Sequence, residues 1–153
     1  MRLPSDLSDS LIAAGRLMRK AQERWWIIGS AAAALHGASS IHASDIDILL
    51  SPSDARKILP GLGIRPASGK ANSRFWSEIF ARWGGASLDL EFMAGLHLSD
   101  GGQWRPVKLQ THRLFCLEGT DIIVPELDEL KMLFAIFARP KDFERLRLLN
   151  ALN

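Results

Sequence analysis

Asp45 and Asp47 are separated by one isoleucine in the run DIDILL, and Asp89 and Glu91 by one leucine in SLDLEFM. Apolar residues fill the alternate positions of both runs, which is the period of a β-strand. In each run the two acidic side chains therefore share one face and Ile or Leu takes the other. Carboxylates this close repel and raise one another's pKa, and a hard divalent cation with a preference for oxygen ligands removes the conflict. A second feature lies upstream, where Gly29-Ser30 joins the apolar WWII to the alanine-rich AAAAL. A glycine at a strand end followed by a small hydroxyl residue at a helix start leaves backbone N–H groups and an OH that suit phosphate. An anion cradle beside a carboxylate-bound cation is the minimum equipment for chemistry on a nucleoside triphosphate. Taken singly each feature is ordinary, since Gly-Ser before a helix is a common N-cap and paired aspartates are common on surfaces.

The elements that must position these groups follow from the patterns around them. Residues 25–51 read as strand, tight turn, short helix, loop and second strand, with His36-Gly37 as the helix stop. The order apolar strand, Gly29-Ser30, helix ending Leu35-His36-Gly37, then Asp45-Ile46-Asp47 resembles the signature of the nucleotidyltransferase superfamily, the group with a DNA polymerase β-like core. It is similar above all to small bacterial members, the minimal nucleotidyltransferases and abortive-infection-type toxins. The resemblance implies that Gly29 and Ser30 hold a triphosphate, that Asp45 and Asp47 hold Mg2+ or Mn2+, and that a later strand supplies a third carboxylate. Asp89 is the residue expected there, binding metal and taking the proton of the attacking hydroxyl, with Glu91 as the other candidate. The C-terminal string VPELDELKMLFAIFARPKDFERLRLL resembles the family's closing element, which implies that Lys131, Arg139, Lys141 and Asp142 face or brace the nucleotide. Two departures stand out. Residues 39–44 (SSIHAS) lack the arginine and threonine that relatives carry, leaving His42 or Ser44 as substitutes, and Arg145 occupies a place where relatives carry aspartate.

Along the rest of the chain, residues 5–23 carry a helical spacing with Ser5 as N-cap and Asp6 in the first turn. Pro52–Pro60 reads as a helix starting at Ser51 or Ser53, and 61–73 as a loop whose Arg65 and Lys70, with Arg74 beyond it, could reach a phosphate. Residues 74–83 and 87–93 form a hairpin about Gly84-Gly85, 104–110 and 113–117 are strands extending the same sheet, and helices follow from Pro125. The expected fold is α/β (α+β): a mixed, mostly antiparallel sheet of five or so strands with helices largely on one face and the metal site at the sheet's edge. One domain spans 1–153, with a helical element over 125–153.

Composition narrows the classes. No stretch reaches the ~18 apolar residues of a membrane span and the N-terminus lacks the form of a signal peptide, so a cytoplasmic protein with no membrane partner is expected. The single Cys116 forms no internal disulfide and reads as a core thiol. Trp25 and Trp26 read as packing residues. The net charge is +2; setting aside Asp45, Asp47, Asp89 and Glu91 takes the acids from 17 to 13 against 19 bases, a surround that suits a polyanion. The expected activity is Mg2+-dependent transfer of NMP from an NTP, ATP included, to a hydroxyl. With little chain left for an acceptor pocket, the acceptor is a large one such as tRNA or a protein, or is held with a second subunit of a homodimer. The alternatives are an inactive nucleotidyltransferase-like partner in a toxin-antitoxin pair and another metal-dependent phosphotransfer enzyme.

Overall fold

In the computed structural model, which describes residues 2–69 and 72–152, helix α1 (Ser5–Leu17) presents Leu7, Leu11 and Ala14 to the interior, and Met18 continues the stripe into a 3-10 turn over Met18–Lys20. Each buried leucine of this kind contributes about 2 kcal/mol. The helix starts directly after Pro4, so Ser5 is its first residue rather than its cap, and it stops short of the expected Glu23. The reason lies in α3 (Pro52–Ile58), capped by the Ser51 hydroxyl on the Asp54 N–H. Fully buried Asp54 accepts hydrogen bonds from the N–H groups of Gln22 and Glu23 at 3.0 and 2.9 Å. Those two backbone donors are thereby withdrawn from any further helical turn.

The main sheet holds β1 (Trp26–Ile28), β2 (Asp45–Leu50), β3 (Phe75–Trp83), β4 (Asp89–Asp100) and β5 (Gln103–Pro106) in the order β1-β2-β4-β3, with β5 alongside the far end of β4. All pairings are antiparallel except β2 with β4, whose register sets Asp45 opposite Asp89 and Asp47 opposite Glu91. The expected hairpin about Gly84-Gly85 is present, with β4 running well past Met93. Gly95 adopts φ +63°, and there β4 changes allegiance. Leu90, Phe92 and Ala94 enter the main core with Ile46, Ile48 and α2 (Gly29–Leu35), whereas Leu96 joins Ile28, Leu49, Leu133 and Phe137 in a second core on the opposite face.

β6 (Arg113–Leu117) and β7 (Thr120–Val124) pair only with each other, so the expected extension of the main sheet stops at β5. β7 lies against α1 at Gly15, where a Cβ would meet the Asp121 carbonyl oxygen at 2.8 Å. Cys116 is exposed on the same face of this small sheet as exposed Leu114; the core reading of that thiol does not hold. Trp25 is buried, and the Trp26 indole N–H donates to the Thr111 carbonyl at 2.8 Å. Helix α4 (Leu127–Phe137) sends Leu130 and Phe134 to the main core and Leu133 and Phe137 to the second. It ends at Ala138 in a left-handed conformation, and Pro140 opens α5 (Pro140–Asn150). Among the described residues no helix is long and apolar enough to cross a membrane.

Candidate active site

Parallel, in-register pairing of β2 and β4 puts two acidic pairs side by side on one face. One carboxylate oxygen from each of Asp45, Asp47 and Glu91 lies within 4.8 Å of the others, a spacing that a single cation could bridge. The β4 carboxylate within this spacing is Glu91, the other candidate of the sequence. Asp89 sits one pair further out, about half exposed beside the Gly84 turn, with Arg82 Nη1 at 3.7 Å from its carboxylate. Arg82 on β3 stands opposite Glu91 and also donates to its Oε1. The cluster lies on the two central strands at their N-terminal ends, rather than along a lateral edge of the sheet.

Electrostatics mark the cluster as strained without a cation. Burial pushes the Asp47 carboxyl up to about 7, helped by the charges of Asp45 and Glu91 and opposed by Lys141 and Arg139. Burial and Asp45 raise Glu91 too, against Arg82 and a hydrogen bond with Asp47. Gly29 explains its own identity here. Its φ is +70°, and a Cβ would stand 2.7 Å from Asp47 Oδ2, so only glycine lets the β1–α2 turn lie on the carboxylate.

The acids floor a cleft of about 430 Å3, walled by Phe75, Trp76, Phe80 and Phe137 and edged by Arg139 and Lys141. Arg139 is a brace: its Nε donates to Asp142 Oδ2 at 2.6 Å, its backbone N–H closes the same capping box, and its guanidinium stacks 4.9 Å from the Phe75 ring centroid. Lys141 is exposed and close enough to lower the pKa of both Asp47 and Glu91. Ser30, next to Gly29, accepts a hydrogen bond from Arg145 Nε at 2.6 Å. Lys131, on α4, does not line the cleft.

Other sequence candidates fall elsewhere. His36 Nε2 is 2.8 Å from the Pro125 carbonyl oxygen, and burial lowers its pKa, so it ties α2 to the start of α4. His42 and Ser44 are exposed beyond the cleft, and His97 packs on Trp76. Arg74 donates to the Phe137 carbonyl, Arg65 is outside the cleft lining, and Lys70 lies outside the described residues. Two features beside the acids escaped sequence reasoning. Arg82 could have been found by counting back through the Gly84 turn, whereas the aromatic wall has no sequence signal apart from its clustering at 75–80.

No protein-family profile matches the chain, and no curated protein matches it in sequence. Solved structures do match. A candidate nucleotidyltransferase, TM1012 from Thermotoga maritima, superposes with a TM-score of 0.72 at 22% identity, over 90% of this chain and 88% of that one. The lincosamide antibiotic adenylyltransferase LnuA, in its lincomycin-bound structure, superposes with a TM-score of 0.62 at 10% identity over 100% of both chains. An antigenic nucleotidyltransferase-like protein from Paracoccidioides brasiliensis gives 0.53 at 12% identity, over 96% of this chain and 77% of that one. With its mostly antiparallel mixed sheet, its one parallel pair of acid-bearing strands and the Gly29-Ser30 turn laid across them, this chain has the nucleotidyltransferase fold.

Proposed function

We propose that the protein is a nucleotidyltransferase that moves a nucleoside monophosphate from an NTP to an acceptor hydroxyl with the help of Mg2+ or Mn2+. The observation that carries this reading is the trio Asp45, Asp47 and Glu91, three carboxylates gathered within 4.8 Å without enough positive charge to offset them. Their chemistry fits a hard cation: all donors are oxygen, Gly29 keeps the space beside Asp47 free of side chain, and the partly protonated apo state is relieved when charge arrives. These three residues would hold the ion, which when bound offsets charge on the phosphate oxygens and makes the acceptor hydroxyl easier to deprotonate.

The remaining steps belong to the chain itself. Ser30 and the backbone after Gly29, next to Asp47, offer hydrogen bonds to phosphate, and Lys141 adds an exposed cation at the cleft edge. A carboxylate oxygen of the trio takes the acceptor proton, with Glu91 on β4 the member assigned to it. Arg82 holds that side chain in place, and Arg139 with Asp142 fixes the turn that carries Lys141. Phe75, Trp76 and Phe80 supply flat apolar surface on which an unsaturated or alicyclic ring packs. A cleft of about 430 Å3 is within the range for small-molecule sites, and LnuA matches this chain over its full length in a lincomycin-bound structure. Both observations support a small acceptor over a macromolecular one.

The test is incubation with α-labelled NTPs and Mg2+ against separate pools of total RNA, protein and small hydroxylated compounds, with Asp47→Asn as control. Label should enter the small-molecule pool with wild type alone. Thermal melts give a second arm: Mg2+ with a non-hydrolysable NTP should raise Tm by more than the two separate shifts combined, since each ligand binds the native state and they share contacts. Absence of any joint shift would overturn the proposal.

A further inference from the structure

Arg145 on α5 touches the Gly29-Ser30 turn beside the acids, and its charge, like that of Lys141, meets no carboxylate within ion-pair distance among the described residues. Its Nε donates to Ser30 Oγ at 2.6 Å and its Nη1 to the Lys141 carbonyl oxygen at 3.1 Å, so the guanidinium ties the start of α2 to the first turn of α5. Arg82, Arg105, Arg139 and Arg147 each have a carboxylate within ion-pair distance, and among the described residues Arg145 has none. Three of its five N–H groups remain to be used. Its effect on Ser30 is equally specific. A hydroxyl whose oxygen accepts from a guanidinium has its own proton left to donate, and the Nε bond fixes where that oxygen sits. Ser30 directly follows Gly29, which lies against Asp47, so Asp47, Gly29, Ser30 and Arg145 form a sequence leading away from the carboxylate trio.

We infer that Arg145 is a positioning residue for the outer phosphates: it orients the Ser30 hydroxyl and adds a fixed, planar cation for the phosphoryl groups that leave as pyrophosphate. The inference rests on the proposed NTP chemistry. In that chemistry the acceptor oxygen bonds to the α-phosphorus, the bond from that phosphorus to the bridging oxygen of the β-phosphate breaks, and pyrophosphate departs with the bond's electron pair. Charge therefore accumulates on the outer phosphates, away from the carboxylates and toward Ser30 and Arg145. The α-phosphoryl group alone would gain nothing from Arg145.

The test is calorimetric titration of wild type, Arg145→Gln, Arg145→Met, Arg145→Lys and Ser30→Ala with a non-hydrolysable NTP, pyrophosphate and the matching NMP, all with Mg2+. Arg145→Gln should weaken NTP and pyrophosphate binding by about 10- to 100-fold, the scale of lost hydrogen bonds to a charged group, and NMP binding by less than about 2-fold. Arg145→Met keeps the aliphatic stem and carries the same comparison if the Gln variant does not fold. Arg145→Lys restores the charge without the fork and should fall between. In the double variant Ser30→Ala/Arg145→Gln, titrated alongside, the loss should be less than the product of the two single losses, because the two groups act together. Equal losses for NTP and NMP, or unchanged NTP affinity in the Gln and Met variants, would overturn the inference and leave the proposed function standing. Wild type that binds no NTP with Mg2+ would remove both.

Discussion

Replacing Asp47 by Asn in the metal-free protein should raise its stability, and by an amount that depends on pH. Burial and two neighbouring carboxylates push Asp47 from 3.8 to about 7. A folded-state pKa above the unfolded value means stability that is complete below about pH 4, declines as pH rises, and is fully lost above about pH 7. Three pKa units at ~1.36 kcal/mol each give about 4 kcal/mol; because Asp47 is partly exposed at the cleft floor, water screens some of this and about 2 kcal/mol is the figure to expect. Asn has the same shape, carries no charge, and its amide can donate to Glu91 as the protonated carboxyl does. Urea unfolding with EDTA should therefore show the Asp47→Asn variant more stable than wild type by about 2 kcal/mol at pH 8, with about half of that difference at pH 4.5 and unchanged m-values. Adding Mg2+ at pH 8 should stabilise wild type and leave the variant where it was. A variant less stable than wild type at both pH values would show a carboxylate anchored as a structural acceptor, and the argument from charge frustration would fall.

Three further outcomes follow from the geometry. Glu91→Gln should cut metal affinity and transferase activity by about 100-fold or more, while Asp89→Asn, half exposed and outside the trio, changes either by only a few-fold; a titration giving the reverse ranking would make Asp89 the third ligand. Gly29→Ala forces a methyl to 2.7 Å from Asp47 Oδ2 at φ +70°, and should cost about 1–2 kcal/mol of stability together with metal binding; a variant that binds Mg2+ normally would show the turn to be slack. Gly15→Ala gains up to ~1 kcal/mol of helix propensity but drives a Cβ to 2.8 Å from the Asp121 carbonyl, so chemical denaturation should show a net loss of about 1–2 kcal/mol, and a net gain would mean that α1 and β7 separate without penalty.

Much of the site could be read from the chain because it depends on alternation, which is a local property. That Asp45 shares a face with Asp47, and Asp89 with Glu91, follows from parity alone, and the glycine beside the carboxylates is where the turn chemistry asks for one. Which acid completes the trio is a matter of register between β2 and β4, strands joined by a helix, a loop and β3; parity leaves the pairing free to slide by two residues. The same limit concealed the fate of β6 and β7, whose alternation identifies strands but not the sheet they join. Cys116 departs from expectation for a related reason: burial in a two-stranded sheet depends on what covers it, and among the described residues this thiol is left exposed. Arg145 differs again, since its contact with Ser30 spans 115 positions and links two elements that only tertiary packing brings together.

The route from β2 to β4 also has a bearing on how such a protein diversifies. The carboxylates stand on paired strands whose register is held by a parallel ladder and by the main core, while the wall of the cleft is built from β3 and the loop that approaches it, at Gly69 and Asn72. Residues can be added to or removed from that loop without moving Asp45, Asp47 or Glu91, because the strands on either side are anchored independently of it. If the proposed function holds, the acids and the surface that meets the acceptor are thus separately heritable: one stretch of chain can drift, lengthen or be exchanged while the floor beneath it stays in place.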